Sequence, residues 1–197
     1  MATVADVYRF LDQKAPFSLQ MSFDNAGFLV GRGETPITKI LVALDITEAV
    51  MQEAVDMGAN LIVAHHPVIW DRCAAVTSET LTGKKLLFLI EHQIAAICAH
   101  TNLDAVEGGV NTVLANRFQL ENQIPLHTDG LDQNGKPYGI GRVGNLTQAI
   151  AFSDFIQTVK EKLQIPAVRA ADHGKAVYRV AVGGGACGGM LQDAFAQ

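Results

Sequence analysis

The chain has 197 residues, of which 49% are apolar and 18% charged, with a formal net charge of −5 at pH 7. That size and composition suit one large domain or two small lobes around a hydrophobic core, and exclude a disordered chain. The acidic balance excludes a basic surface that draws nucleic acid or an anionic membrane, and no apolar run has the length of a membrane span.

Thr3 is placed to cap a first helix whose apolar stripe is Val4, Val7, Tyr8 and Leu11. The opening MATVADVYRFLDQKAP lacks the apolar core of a signal peptide, so the expected location is the cytoplasm. Cys73, Cys98 and Cys187 are far apart and are read as reduced core or loop residues. A short strand is predicted around Phe28–Val30, between Gly27 and Gly31, followed by an apolar strand from Lys39 to Leu44 that ends at Asp45. Thr47 then suits the N-cap of a helix running to Met57, with Gly58 just past its end. Leu61–Ala64 reads as a buried strand ending at His65 and His66, where Pro67, lacking an N–H, stops the ladder. A helix from Leu81 to Gln93 leads to a third apolar run, Ile94–Ala99, which ends at His100.

Apolar runs of strand length alternating with helices predict an α/β fold, two α/β lobes with a mostly parallel sheet built from βαβ units and helices on both faces. Residues 124–146 are polar and glycine-rich, with GLDQNGKPYGIG expected to form a hairpin or exposed loop. Ser153 is predicted to cap a helix to Leu163, and Val177–Val182 to form another strand before a glycine run. A soft boundary near residue 122 divides the chain into a first lobe, 1–122, and a second, 123–197.

Ligands of parallel sheets gather outside the carboxyl ends of the strands. Here those ends carry Asp45, the pair His65-His66, and His100-Thr-Asn-Leu-Asp104. Imidazole nitrogen and carboxylate oxygen together suit zinc, iron, manganese, cobalt or nickel, and no thiolate is nearby to select a softer site. Adjacent strand residues point to opposite faces, so the two histidines are expected to reach two neighbouring cations where Pro67 breaks the strand. Two cations about 3.5–4 Å apart support hydrolytic chemistry. Simpler readings stand beside these: a structural or surface histidine pair, Asp104 as the N-cap of the next helix, and Asp45 as a turn or cap residue. His100 and Asp45 are read as partners that orient ligands rather than as ligands. His92, His127 and His173 are assigned to the surface.

The motifs FDNAGFLVG (23–31), AHHPVIW (64–70) and AHTNLDAVEGGVN (99–111), in this order, resemble a known family. It is the dinuclear-metal family of GTP cyclohydrolase 1 type 2 homologues, also called Nif-three-like proteins. VYRVAVGGGACGGM (177–190) is similar to that family's late strand and glycine turn, so the resemblance runs from about Asp24 to the end of the chain. It implies that His65 and His66 serve different metals of one centre and that Asp104 shares a metal with the second of them. It also implies a toroidal hexamer, a trimer of dimers with its metal sites facing an inner cavity. Asn25 and Asn111 fall in the family's signatures without an implied ligand role. The family completes its centre with a histidine and a bridging glutamate in a C-terminal segment. No histidine follows His173 and no acid follows Asp193, so the expectation is a centre left open, weak or empty.

Two functions compete on this reading. One is a dinuclear-metal hydrolase acting on a nucleotide-like or phosphorylated small molecule; the other is a non-catalytic, metal-stabilised ring that binds or regulates protein partners. Gly183–Gly188 also satisfies G-x-G-x-x-G after a strand, but too little chain follows for a second βα unit with a ribose-binding acid. A tight strand-to-helix turn is the expectation there.

Overall fold

The computed structural model describes residues 1–172 and 174–197. His173, assigned above to the surface, lies outside the described residues. The chain divides into two compact units, Met1–Leu103 and Asp104–Gln197. The division lies upstream of the composition change near residue 122.

The first unit opens with helix α1 (Val4–Lys14), where Thr3 and Asp6 form a reciprocal capping box that satisfies two orphan N–H groups. A single 3-10 turn, Phe17–Leu19, follows it. The strands are β1 (Gly27–Val30), β2 (Ile40–Ala43), β3 (Leu61–Ala64) and β4 (Ala95–Cys98), with helices α2 (Glu48–Met57) and α3 (Leu81–Glu91) as crossovers. Thr47 caps α2, and Gly58 stops it at φ +69°, a left-handed conformation that glycine adopts without a Cβ clash.

The sheet order is β1-β4-β3-β2. β2, β3 and β4 pair in parallel, as βαβ units require, while β1 joins the far edge antiparallel to β4. One face packs Ile62, Ala64, Ala96 and Cys98 against Met51 and Ala54 of α2 and Leu86 and Leu89 of α3. The other packs Leu61, Ala95 and Ile97 against Val4 and the stripe Val7, Tyr8 and Leu11 of α1. Helices therefore cover both faces, and burial of each large apolar side chain contributes about 1.5–3 kcal/mol. β2 departs from the two-sided burial that its apolar run predicts: Val42 is 74% exposed. By register it shares the α1 face with Val63, but it sits on the edge strand, where the packing of α1 onto the inner strands does not reach it.

Helix α4 (Thr101–Ala105) crosses the division between the units, and α5 (Val110–Arg117) follows it. The second unit holds β5 (Glu121–Pro125), the short pair β6 (Gly130–Leu131) and β7 (Pro137–Tyr138), then β8 (Arg142–Ile150), α6 (Phe152–Leu163) and β9 (Val177–Val182). A 3-10 turn over Cys187–Met190 leads into α7 (Leu191–Ala196). The β6–β7 hairpin falls inside GLDQNGKPYGIG, as expected, and the glycine run after β9 makes a strand-to-helix turn with Gly185 at φ +76°. The main sheet here, β5-β8-β9, is antiparallel throughout. The expectation of a mostly parallel sheet therefore holds only for β2, β3 and β4, and the architecture is mixed α/β. β8 gives no apolar run because its burial changes along its length: Arg142, Val143 and Gly144 are buried, whereas Thr147, Gln148 and Ala149 are exposed.

Ser153 is not the cap of α6. The cap position is Ala151, without a side-chain bond, because the helix starts only two residues after β8 ends. The core of this unit joins Ala115, Phe118, Leu120 and Val180 with Phe155 and Val159 of α6. Arg142 is buried with all five guanidinium donors engaged, to the carbonyls of Ala105, Val106, Gly139 and Gly141 and to the Thr112 hydroxyl.

Candidate metal centre

β3 and β4 are parallel neighbours in register, Ala64 opposite Cys98, so the residues leaving them emerge side by side at one edge of the sheet. The ladder runs on past the strands. Ala99 N–H donates to Ala64 O at 2.9 Å, and His66 N–H donates to Leu44 O at 3.0 Å. His65, His66 and His100 thus leave the sheet together. One ring nitrogen from each lies within 4.8 Å of the others, and the ring centroids are 5.1, 5.1 and 5.6 Å apart. His65 and His66 do not diverge to opposite faces, because the regular strand ends at Ala64 and both N–H groups bond to the same neighbouring segment, at Ala43 O and Leu44 O.

The Nδ1 of every ring is committed. His65 Nδ1 donates to Ala99 O at 2.9 Å, His66 Nδ1 to Asp45 Oδ1 at 2.7 Å, and His100 Nδ1 to Asp24 Oδ1 at 2.9 Å. Oxygen acceptors on Nδ1 put the proton there in the neutral ring, so the basic lone pair is on Nε2 and the ring plane is set. Such orientation by a carboxylate or carbonyl accompanies nearly every metal-binding imidazole. A cluster of nitrogen donors in this tautomer fits a transition-metal ion such as zinc. The nearby thiol of Cys98 does not compete, since burial pushes it up to about 11 and keeps it protonated.

The two carboxylates differ in setting. Asp45, between β2 and α2, is half-exposed, as is His66; Thr47, not Asp45, caps the helix. The Asp24 carboxylate is fully buried. It accepts from His100 Nδ1, from the N–H and hydroxyl of Thr101, and from Asn25 N–H. Burial pushes its pKa up, but the bonds from Thr101, His100 and Asn25 outweigh that and hold it below the usual carboxylate value. Sequence reasoning passed over Asp24 although it stands in FDNAGFLVG. A carboxylate that acts 76 positions down the chain leaves no local spacing signal. Asn102 was passed over as well. It is fully buried, accepts from His100 N–H and donates to Ala15 O, which ties the His100 turn to the end of α1.

Asp104 is the fourth residue of α4 and opens the second unit. It is not an N-cap, because α5 starts from Gly109. Its carbonyl accepts from Asn111 Nδ2 at 3.0 Å, and Asn111 Oδ1 accepts from Gly184 N–H at 2.7 Å, so this buried amide ties α4 to the glycine turn. Asn25 Nδ2 donates to Ile69 O at 2.7 Å and holds the segment that follows the histidine pair. His92 is exposed and stacks on Phe88. His127 is exposed between Asp129 and Asp193, at 3.6 and 3.3 Å.

Comparison with known proteins gives a consistent result. The model of the family Duf34/NIF3 (NGG1p interacting factor 3) matches residues 2–197. A GTP cyclohydrolase 1 type 2 homolog of Clostridium perfringens is 36% identical over 190 residues, 96% of this chain and 71% of that protein. Among solved structures, the Staphylococcus aureus protein SA1388 superposes with a TM-score of 0.89 at 29% identity, covering 99% of this chain and 76% of that one. Reduced HcgD from Methanocaldococcus jannaschii gives 0.82 at 29% identity, covering 99% and 75%. No helix among the described residues is long and apolar enough to cross a membrane.

Proposed function

The chain belongs to the Duf34/NIF3 family, and from that membership we propose that it is a divalent-metal protein, a hydrolase acting on a nucleotide-like or phosphorylated small molecule. The observation that carries the reading is the convergence of His65, His66 and His100 with Nδ1 anchored in every ring. Asp104 enters on its motif alone, as the carboxylate expected to share the centre. A bound divalent cation supplies Lewis acidity toward a phosphoryl or carbonyl oxygen and acidifies water near neutral pH. The chain's own part is positional. Asp24, Asp45 and the Ala99 carbonyl hold the imidazoles in one tautomer and one orientation, so that little reorganisation is needed when a cation arrives. Assembly as a trimer of dimers belongs to the same proposal, and sedimentation of the metal-loaded chain at the mass of six copies is the result it expects.

The test is product release from a panel of nucleotides and phosphorylated sugars, with the chain dialysed against zinc, manganese, cobalt, nickel or ferrous iron. Turnover that needs the metal and disappears in His65→Ala and His66→Ala is the expected result. Metal-dependent assembly with no turnover on any member of the panel would replace the hydrolase by a metal-stabilised scaffold.

A further inference from the structure

Two large aromatic side chains stand at the rim of the histidine cluster, and the metal reading does not use them. Phe23 is 63% exposed and Trp70 50% exposed. Their ring centroids are 6.2 Å apart with planes at 49°, and the Trp70 ring meets the His100 ring edge-on at 5.6 Å. Both rings hang from the segments that aim the imidazoles. Phe23 precedes Asp24, the anchor of His100, and Trp70 lies four residues beyond His66. The Asn25 amide, donating to Ile69 O, fastens these two segments together one position short of Trp70. The Asn25–Ile69 bond thus holds the two ring-bearing segments together beside the cluster.

Exposed Phe and Trp leave a large apolar area in water. Their contact is tilted rather than stacked, so each ring keeps face area that the pair itself does not cover. Aromatic faces beside a polar, cation-ready cluster suit a ligand with one flat end and one anionic end. Stacking accepts any π-face and is sequence-tolerant among bases, whereas the imidazoles and a cation address phosphate oxygens. We propose that Phe23 and Trp70 form a stacking platform that selects substrates carrying a planar heteroaromatic ring, held beside His100 with the phosphate toward the histidine cluster. The placement of the phosphate rests on the metal-centre reading; the binding of the ring rests on the aromatic pair alone.

Trp70 is the only tryptophan in the chain, so its fluorescence reports the platform directly. The experiment compares guanosine 5′-monophosphate with ribose 5-phosphate, which has the same phosphate but no ring, with and without zinc. Quenching is followed in the wild type and equilibrium dialysis in the variants. The expected result is quenching by the nucleotide and binding at least about tenfold tighter than the ring-less sugar phosphate. Trp70→Ala should bring the two ligands to similar affinity, Trp70→Phe should restore most of the difference, and Phe23→Ala, at a still more exposed position, should lose part of it. Equal affinities in the wild type would overturn the platform. So would fluorescence that follows protein concentration while Trp70→Ala splits an oligomer, which would make the pair an interface between copies. A ring preference that persists while zinc leaves the affinity for ribose 5-phosphate unchanged would keep the platform and sink the metal-centre reading instead.

Discussion

Asp24 and Asp45 offer a paired perturbation, because each accepts from one imidazole Nδ1, at 2.9 and 2.7 Å, in opposite surroundings. Replacing Asp24 by Ala strands four donors: His100 Nδ1, the N–H and hydroxyl of Thr101, and Asn25 N–H. Bonds to a charged acceptor contribute about 1.5–3 kcal/mol each and are not additive, so the expected loss is about 3 kcal/mol or more. Asp45→Ala removes a half-exposed partner of a half-exposed ring and is expected to cost about 0–1 kcal/mol. Zinc affinity should nevertheless fall about 10–100-fold in both, since each carboxylate orients one imidazole. The assays are urea unfolding of the metal-free chain and competition dialysis for zinc. The acid limb adds a sign. The folded Asp24 pKa is lowered, so its stabilisation is present above the usual carboxylate value and is lost as pH falls through the folded value. Asp24→Ala should flatten stability across that window. An Asp24→Ala chain within about 1 kcal/mol of wild type, or an Asp45→Ala chain with undiminished zinc affinity, would refute the reasoning.

Other substitutions probe the frame around the centre. Arg142→Lys cannot supply five donors to four carbonyls and a hydroxyl, and should cost about 3 kcal/mol or more in chemical denaturation. Asn111→Ala leaves the Asp104 carbonyl and the Gly184 N–H without their partner, for a loss of about 2–3 kcal/mol by the same assay. Gly83→Ala in α3 reverses the usual gain of about 0.5–1 kcal/mol for a helical glycine, because the added Cβ would run into the Thr77 carbonyl oxygen; a lowered melting temperature is expected. The Cys98 thiol should resist alkylation at pH 8 until the chain unfolds, while exposed Cys73 reacts at once, as mass spectrometry of labelled peptides would record.

The parallel part of the fold was legible because β3 and β4 are buried on both faces and therefore read as unbroken apolar runs. Thr3, Thr47 and Gly58 marked the ends of α1 and α2 through local chemistry that needs no tertiary context. The antiparallel β8 was hidden by its residues. It begins with a buried arginine and runs into water, and what buries Arg142 is a set of carbonyls that no sequence pattern announces. The start of α6 was misplaced at Ser153 because a residue favoured at caps also fits a first helical turn. At the candidate centre, the strand ends and the family motifs pointed to His65, His66 and Asp104, with His100 read only as a partner that orients a ligand, whereas the structure gathers His100 with the histidine pair. Their anchors were less visible. Asp45 could be named because it closes the neighbouring strand, whereas Asp24 comes from a turn before β1 and meets His100 only through long-range folding.

Zinc bound per chain, measured after exhaustive dialysis for the wild type and for His65→Ala, His66→Ala, His100→Ala and the triple replacement, probes the donor cluster most directly. Each single change should lower bound zinc, with His65→Ala and His66→Ala each removing mainly one ion where two are held, and the triple variant should hold none. A folded triple variant that retains as much zinc as the wild type would mean that these three imidazoles are not where the cation binds.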